Sequence, residues 1–304
     1  MTTSVLDRAA DHVLRNSRIL ERRRFDHLFG DGGAGAVAAA LLPYRNPDGG
    51  FGNALEPDCR APGSQPVTTM AALAVLDEIG AAGGEPAREI CDYLLSVSAP
   101  DGGVPFVHPS ADGYPRAPWW EIPGEYAGSL VPTATLAGLL HKNAVEHPWL
   151  GPATEFCWQR IDAIADTHPY EVLSCLSFLD HVPDRDRAGL TADRLGEMVR
   201  KGQLVSLTGD EPAPAGYAPG EVKYPHDYAP RPDSLACQWF SAAELESGLD
   251  TLLAEQRDDG GWPVRWRIWL PVIAYEWSGV VTIEALTVLL AHGRLTRPSA
   301  AASG

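Results

Sequence analysis

Residues 46–65, with the sequence NPDGGFGNALEPDCRAPGSQ, contain the feature that decides the fold. Block 1 within it is Asp48-Gly-Gly-Phe-Gly, and two related copies follow: block 2 is Asp101-Gly-Gly-Val-Pro and block 3 is Asp259-Gly-Gly-Trp-Pro. Asp48 and Asp101 are 53 residues apart, and Asp101 and Asp259 are 158 apart, which is close to three times 53. This period is slightly longer than those of common helical repeats. It predicts an array of helix pairs that has lost the block from two middle copies.

The composition excludes several classes of partner. The chain has 304 residues, 45% of them apolar, which is ample for a large core. Its formal charge of −16 opposes binding to nucleic acid or to an anionic membrane surface through bulk electrostatics. The five cysteines are odd in number and lack CxxC spacing, which indicates reduced thiols. We therefore expect a cytoplasmic protein whose partner is a small-molecule substrate. The oligomeric state stays open.

The N-terminal sequence is charged and has a helical pattern, unlike a signal peptide. We find no apolar run that approaches the roughly 18 residues of a membrane-spanning helix. These two observations predict a soluble protein without an integral membrane segment.

Apolar residues at helical spacing predict a chain of helices. Those that are nearly all apolar alternate with those that are amphipathic, and a long loop is expected over residues 202–233, with a weak helix near Leu235. The predicted helices cover residues 5–29, 34–42, 68–79, 85–97, 130–141, 153–165, 170–179, 190–201, 242–256 and 280–291.

This alternation predicts the architecture. A helix that is apolar on every side must be enclosed, and an amphipathic helix covers it from outside. Five such pairs, with the N-terminal helix as a sixth position, predict an all-α protein: an α/α toroid of inner and outer helices around a central cavity. We expect one domain over residues 1–295 and a disordered tail over residues 296–304.

Two of the blocks carry a resemblance to a known superfamily. Gln256-Arg-Asp-Asp-Gly-Gly-Trp262 fits the Q-x3-G-x-W repeat of squalene and oxidosqualene cyclases, and block 1 looks like the repeat of protein prenyltransferase β subunits. The chain resembles that terpenoid cyclase and protein prenyltransferase superfamily over nearly its whole length. The resemblance implies an α/α6 toroid in which the blocks mainly staple the outer helices together.

The catalytic motifs of those families do not carry over. The Asp-x-Asp-Asp acid of class II cyclases, the Asp-Asp-x-x-Asp of class I synthases and the Cys-His-Gly of lanthionine cyclases do not occur in this sequence. Prenyltransferase β subunits hold zinc with Asp-x-Cys and a distant histidine, whereas Asp58 and Cys59 are adjacent here. The resemblance therefore predicts the fold and transfers no catalytic residue.

Polar residues in the first loop suggest acid–base chemistry. Glu56, Asp58 and Arg60 precede an inner helix, where we expect them near the cavity mouth and the positive end of that helix. Glu56 and Asp58 are candidates for a general acid and a general base, with Arg60 keeping one of them ionised and binding substrate. The alternative is structural: Asp58 and Arg60 form an ion pair, and Gln65 caps the helix at Thr68.

Tryptophan-rich loops follow blocks 2 and 3, and six of the nine tryptophans lie there. Aromatic faces stabilise cations and stack on sugar rings, so a substrate-lining role is predicted for them. Glu121 and Glu276 each lie beside a tryptophan, where a carboxyl tends to stay protonated, and both are candidate proton donors. The alternative is that the tryptophans pack against helices, as we expect for Trp262. The predicted substrate-binding aromatic residues are Trp119, Trp120, Tyr126, Trp266, Trp269, Tyr275 and Trp277.

Metal and cofactor sites have little support in the sequence. His226, in the long loop, is a candidate substrate-binding residue in a lid. The other histidines lack the usual ligand spacing, so we predict no metal and no cofactor, with zinc or magnesium as the alternative. No phosphate-binding loop precedes a helix.

Three functions fit these observations. The leading prediction is a terpenoid cyclase-like or prenyltransferase-like enzyme, which acts on a hydrophobic, isoprenoid-like small molecule through carboxylic acids in a Trp-lined cavity. The second is a carbohydrate-active toroid enzyme: an epimerase, a lyase or a glycoside hydrolase with paired carboxylates. The third is a toroid that binds a ligand without catalysis.

Overall fold

A computed structural model describes residues 4–122, 124–209 and 211–297. The predicted tail over residues 296–304 therefore lies almost entirely outside the described residues. The described part is all helical, with two isolated β-bridges and no strand. The helices are α1 (Val5–Asn16), α2 (Ile19–Phe29), α3 (Ala34–Leu41), α4 (Pro66–Glu78), α5 (Gly84–Ser96), α6 (Leu130–Lys142), α7 (Leu150–Asp162), α8 (Pro169–Leu179), α9 (Arg185–Lys201), α10 (Pro225–Tyr228), α11 (Ala242–Ala254) and α12 (Pro271–Ala291).

The chain divides into two compact units. The terminal unit consists of Met1–Ala40 and Val205–Gly304, and the middle unit is Leu41–Leu204. The expectation of one domain over residues 1–295 stays a prediction.

The middle unit shows the predicted alternation of helices. The apolar helices α4, α6 and α8 pack side by side, and the outer helices α5, α7 and α9 pack against them one to one. Gly138 brings α6 close to α8, because a Cβ atom at this position would collide with the carbonyl of Ser177. The glycine thus allows two inner helices to approach more closely than larger residues would permit.

The core of the terminal unit forms around α12. This helix packs against α1, α2 and α11, and its residues Ile283, Leu286 and Leu289 are fully buried. Trp262 of block 3 joins the same core, with its indole N–H donating to the carbonyl of Leu252 at 2.7 Å. The packing role expected for Trp262 is therefore confirmed.

Several helix boundaries differ from the prediction: α7 begins three residues earlier and α9 five residues earlier than expected, and two differences are larger. The helix expected over residues 5–29 is two helices that separate at Ser17 and Arg18, both in extended conformation. The last helix begins at Pro271 rather than at residue 280. The proline fits the first turn because its missing N–H would have no helical acceptor there. Residues expected in a loop are therefore helical.

The longer α12 also corrects the expectation that no apolar run approaches the length of a membrane span. It has 21 residues, and its most apolar 18-residue window has a mean hydropathy of 1.4. By length and composition alone it could cross a membrane, although buried core helices pass the same test. Within the terminal unit, 44% of that window is buried.

The three blocks form the same turn. In each, the aspartate accepts a hydrogen bond from the backbone N–H two residues later, at 3.0, 3.1 and 3.0 Å in blocks 1, 2 and 3. The first glycine of each block has a positive φ, of 86°, 91° and 90° respectively, which a residue with a Cβ atom rarely adopts. The shared geometry shows that the sequence repeat is also a structural repeat.

Each turn is tied to the inner helix that follows it. The residue after the two glycines donates its backbone N–H to a threonine hydroxyl at 3.0, 3.0 and 3.2 Å in the three blocks. The threonines are Thr69 on α4, Thr133 on α6 and Thr282 on α12, and all are fully buried. Because a buried N–H needs a partner, these hydroxyls fix where each loop begins.

Each turn also contacts an outer helix. A Cβ atom at the second glycine would meet the ring of Tyr93 on α5, Phe156 on α7 or His12 on α1. A Cβ atom at the first glycine would meet the backbone carbonyl four residues before that ring. Each block therefore joins an inner helix to an outer helix, which agrees with the stapling role that the resemblance implies.

Candidate functional site

Two loops of the middle unit face each other: the first follows block 1 (residues 53–65), and the second follows block 2 (residues 106–122 and 124–129). Backbone hydrogen bonds hold them together. The N–H of Arg60 donates to Pro115 at 2.9 Å, and the N–H of Ala117 donates to the carbonyl of Asp58 at 2.8 Å. The loop begins with Asn53 and Ala54, both at positive φ (55° and 61°). Such conformations persist where surrounding contacts fix them, and they are found often at functional sites.

Gln65 strengthens this junction through its side chain. It is fully buried, its amide nitrogen donates to the Ser110 hydroxyl at 2.8 Å, and its oxygen accepts from the backbone N–H of His108 at 2.8 Å. The structural alternative, in which its side chain caps α4 at Thr68, was wrong on this point, because the side chain makes no capping bond. It bridges the two loops instead.

Glu56 and Asp58 are buried, at 6% and 4% exposure. Burial raises the pKa of the Cys59 thiol between them and Arg60, and the nearby Glu56 carboxylate raises it further, whereas Arg116 and Arg60 act in the opposite direction. The Glu56 carboxylate and two guanidinium groups therefore lie near the Cys59 thiol, which follows the buried Asp58 in the chain. Buried carboxyls with cations nearby are typical of acid–base sites.

The aromatic residues of the second loop have different surroundings. Trp120 packs edge-to-face on Phe106, with ring centres 4.8 Å apart, against a small buried cluster that includes Cys59. Trp119 is 43% exposed. Tyr126 is partly exposed and donates its hydroxyl to the carbonyl of Val97 at 2.6 Å. Trp120 is thus part of the packing, and Trp119 presents a free ring surface.

Glu121, the candidate donor in this loop, is exposed. A proton donor that works against water loses the advantage of a water-excluded site. Within the middle unit, the buried pair Glu56 and Asp58 is the better candidate.

His108 was missed by the sequence analysis. Its Nδ1 accepts from the backbone N–H of Ser110 at 3.2 Å, so in the neutral ring the proton is on Nε2. Burial lowers the pKa of this histidine, and its ring meets Tyr126 edge-to-face at 5.8 Å. The His-Pro-Ser turn is a local signal, but its bond to Gln65 spans 43 positions and depends on the fold.

A second polar cluster lies in the terminal unit, where the predicted loop over residues 202–233 contains α10. Arg265 pairs with Glu255 and lies 3.5 Å from Asp227, and its guanidinium group is over the ring of Tyr224 at 4.8 Å. Tyr224 stacks on His226 with ring centres 5.5 Å apart. His226 is therefore part of a buried ionic and aromatic cluster.

The other predicted residues of the terminal unit lie near the start of α12. Trp266 and Trp277 meet edge-to-face at 4.8 Å, and Trp266 also packs on the core. Tyr275 is 61% exposed, whereas Trp269 and Glu276 are partly buried. Tyr275, Glu276 and Trp277 are on the helix rather than in the expected loop. Whether the tryptophans of the two units share one mouth stays a prediction.

His12 forms an arrangement that looks like a catalytic triad. Its Nε2 lies 2.6 Å from the hydroxyl of Ser278, and its Nδ1 lies 3.4 Å from Asp259. However, Asn16 donates to the His12 carbonyl at 3.1 Å, and the same amide nitrogen faces Nδ1 at 3.2 Å. In the neutral ring Nδ1 is then the acceptor and Nε2 carries the proton. Ser278 therefore accepts a hydrogen bond and is not activated as a nucleophile.

A groove of about 620 Å³ lies in the middle unit at the C-terminal end of α6. Its walls include His141, Leu150 and Trp158, and it contains no predicted site residue. Among the described residues, no three His, Cys, Asp or Glu side chains are placed to hold a metal ion.

Comparison with known proteins adds information about the fold. No family model matches the sequence, and no curated protein matches it. A protein from Actinoplanes of known crystal structure is 17% identical, with a TM-score of 0.62 over 95% of this chain and 98% of that one.

Structures of the type II terpene cyclase MstE from Scytonema are also similar. The complex with merosterolic acid A, its product, is 13% identical, with a TM-score of 0.55 over 95% of this chain and 86% of that one. The complex with its substrate geranylgeranyl dihydroxybenzoate is also 13% identical, with a TM-score of 0.54 over 95% of this chain and 87% of that one. These likenesses show the fold. The predicted fold class, an all-α α/α toroid, is confirmed.

Proposed function

We propose that the chain is a terpenoid cyclase-like enzyme that acts on a hydrophobic, isoprenoid-like small molecule. The observation that carries this proposal is the fold shared with MstE over 95% of the chain, since MstE is a type II terpene cyclase whose structures contain the substrate geranylgeranyl dihydroxybenzoate and the product merosterolic acid A. The buried carboxyl pair in the first loop supplies the chemistry.

In the proposed reaction Asp58 is the proton donor. The π electrons of one substrate double bond form a C–H bond with the carboxyl proton, which leaves a carbocation and an Asp58 carboxylate. A second double bond attacks the cation and closes a ring. Loss of a proton from the final cation restores a double bond, so the product is an isomer of the substrate.

Glu56 is the proposed proton acceptor. Glu56, Arg60 and Arg116 all act on the Cys59 thiol, so two guanidinium groups lie in the same surroundings as the proposed acceptor. Aromatic faces such as Trp119 stabilise the cation through their quadrupoles. A diphosphate buried in an apolar site would need cationic partners, because an unpaired buried charge is costly. The proton-driven route has no diphosphate leaving group and therefore needs no such partners.

The test is turnover of prenylated arenes, beginning with geranylgeranyl dihydroxybenzoate, followed by mass spectrometry in D2O. We expect an isomeric product that carries one new C–D bond for each protonation. Asp58→Asn and Glu56→Gln should each lose at least about 100-fold in rate, the usual contribution of an acid or a base. Asp112→Asn is the matched control, because Asp112 is an exposed residue of the same unit whose side chain, among the described residues, accepts only its neighbour's N–H.

Glu276→Gln separates the two candidate acids. A loss with this variant and full turnover with Asp58→Asn would move the acid to the terminal unit, and full turnover with both would refute carboxyl catalysis. Turnover of a neutral oligosaccharide would support the carbohydrate-active alternative. Tight binding of the prenylated arene without any product would support a binding protein.

A further inference from the structure

Residues 205–209 and 211–228 belong to a strap on the terminal unit, and the two ends of the strap meet. The backbone N–H of Ser206 donates to the carbonyl of Lys223 at 2.7 Å. Long connections with closed ends in compact proteins are often functional. α10 lies at the end of the strap and packs against α11.

The first part of the strap is ordered by Glu211. Its carboxylate accepts from the Ser206 hydroxyl at 2.6 Å and from the backbone N–H groups of Leu207, Thr208 and Gly209 at 3.1, 3.2 and 3.1 Å. These bonds, that of Ser206 first, lower the pKa of Glu211 to about 2. We call the Glu211 carboxylate and the groups that it binds the clamp. The clamp therefore stays ionised and closed throughout the neutral and mildly acidic pH range.

His226, in α10, is a buried residue of the strap whose polar ring atoms are not satisfied. Only 2% of the residue is exposed, and neither ring nitrogen has a hydrogen-bond partner among the described residues. The ring is covered by Tyr224 on one side, while Gly248 of α11 allows the helix to approach it. Burying a ring nitrogen without a hydrogen-bond partner destabilises the docked strap relative to a strap whose ring is in water.

A proton on His226 would meet few favourable partners. Asp227, with a carboxylate oxygen 3.9 Å from Nε2, favours the charged ring, but it already lies 3.5 Å from Arg265 and accepts from the N–H of Tyr224. Arg265 and Lys223 oppose the charge, and the backbone of Gly248 favours it without a hydrogen bond to either nitrogen. Burial is the largest effect, and it lowers the pKa of His226.

We propose that the strap is an acid-sensitive latch, which stays docked while His226 is neutral and is released when the ring takes up a proton. Release exposes the ring to water, where a histidine has its ordinary pKa near 6.5. Below that pH the released strap binds more protons than the docked strap, so docking weakens as the pH falls. This inference is independent of the proposed enzymatic function.

The size of the effect follows from one proton. Between pH 6.5 and the lowered pKa of docked His226, the ratio of released to docked strap rises by up to about tenfold per pH unit. Above pH 6.5 both states are neutral at this position, and the ratio is constant. The clamp at Glu211 does not titrate in this range.

The test is hydrogen exchange of the full chain between pH 7.5 and 5.0, read as wild type relative to His226→Phe at each pH. The ratio removes the intrinsic pH dependence of exchange, and phenylalanine keeps a ring on Tyr224 without a titratable group. We expect wild-type strap peptides to lose protection relative to the variant by up to about tenfold from pH 6.5 to 5.5. His226→Gln serves as a second neutral variant if the larger ring does not fit against Gly248.

His108→Gln is the matched control, because His108 is a partly buried histidine of the middle unit. This variant should keep the wild-type response of the strap. Three results would overturn the proposal: a strap unprotected at pH 7.5, an equal acid response in both neutral variants, or an equal loss of protection in peptides from α6 and α12.

Discussion

Replacing Thr133 by valine removes one hydroxyl from a buried position without changing the shape of the side chain. The backbone N–H of Val104 donates to this hydroxyl at 3.0 Å, and the threonine is fully buried. The variant loses this bond, worth about 1 kcal/mol, and leaves the Val104 N–H unpaired, which costs about 1–3 kcal/mol. It also loses the bond that the hydroxyl donates to the Ser129 carbonyl one turn earlier, at 2.7 Å, which contributes little. We expect the free energy of unfolding to fall by roughly 2–3 kcal/mol.

The matched control is Thr135→Val on the same helix. Thr135 is partly buried, and its hydroxyl bonds only to the carbonyl one turn earlier, at 3.1 Å. Such bonds contribute little to stability, so we expect a change within about 0.5 kcal/mol. Thr133→Ser, which keeps the hydroxyl and removes one methyl group, should lie between the two valine variants.

Urea unfolding followed by circular dichroism gives these free energies, and an unchanged slope with urea shows that the same cooperative unit is compared. The structural repeat makes the prediction general: Thr69→Val and Thr282→Val should cost similar amounts, because both hydroxyls accept an equivalent bond. If Thr133→Val and Thr135→Val were equally stable, the bond to the turn would not stabilise the fold and our account of the blocks would be refuted.

Two further changes test the turns and the strap. Gly260→Ala, at φ of 90° and facing the carbonyl of Arg8, should cost at least about 2 kcal/mol more in urea unfolding than Gly113→Ala, where φ is 78° and the space is open. Glu211→Gln should speed hydrogen exchange at residues 207–209 about tenfold at pH 7, because the ionised clamp is lost. In the wild type the same loss should develop only as the pH falls from the ordinary carboxyl pKa toward about 2, since the folded pKa is lowered.

The fold was predictable because its signals are local and repeated. The alternation of apolar and amphipathic helices depends only on side-chain periodicity, and the turn of each block depends on a glycine that must adopt positive φ. Helix ends were harder. The break at Ser17 has no proline or glycine to mark it, whereas Pro271 is a start signal that we read as part of a loop.

The candidate site was predictable in composition but not in geometry. Glu56 and Asp58 were chosen because they precede an inner helix, and the structure buries them under a second loop. That burial depends on Gln65, whose partners in the second loop are 43 and 45 positions away. Contacts of this range arise from the packing of helices, and no local pattern in the chain specifies them.

The third repeat shows how a shared turn can present different chemistry. In blocks 1 and 2 the inner helix begins three residues before its threonine, so the preceding polar residues lie in loops. In block 3 the helix continues further toward its N-terminus, to Pro271, and Glu276 and Trp277 are fixed on it.

A side chain on a helix is held more precisely than one on a loop, but it has less freedom to follow a substrate through several steps. A multi-step cyclisation needs an acid that is placed precisely for the first proton transfer. The later steps need surfaces that can accommodate cations of changing shape. In the proposed mechanism the loop-borne Asp58 depends for its position on Gln65 and on the bonds of Arg60 and Ala117, which join its loop to a second one. Gln65→Ala should therefore lower turnover while Asp58 itself remains intact, and unchanged turnover in that variant would show that the junction between the two loops does not position the acid.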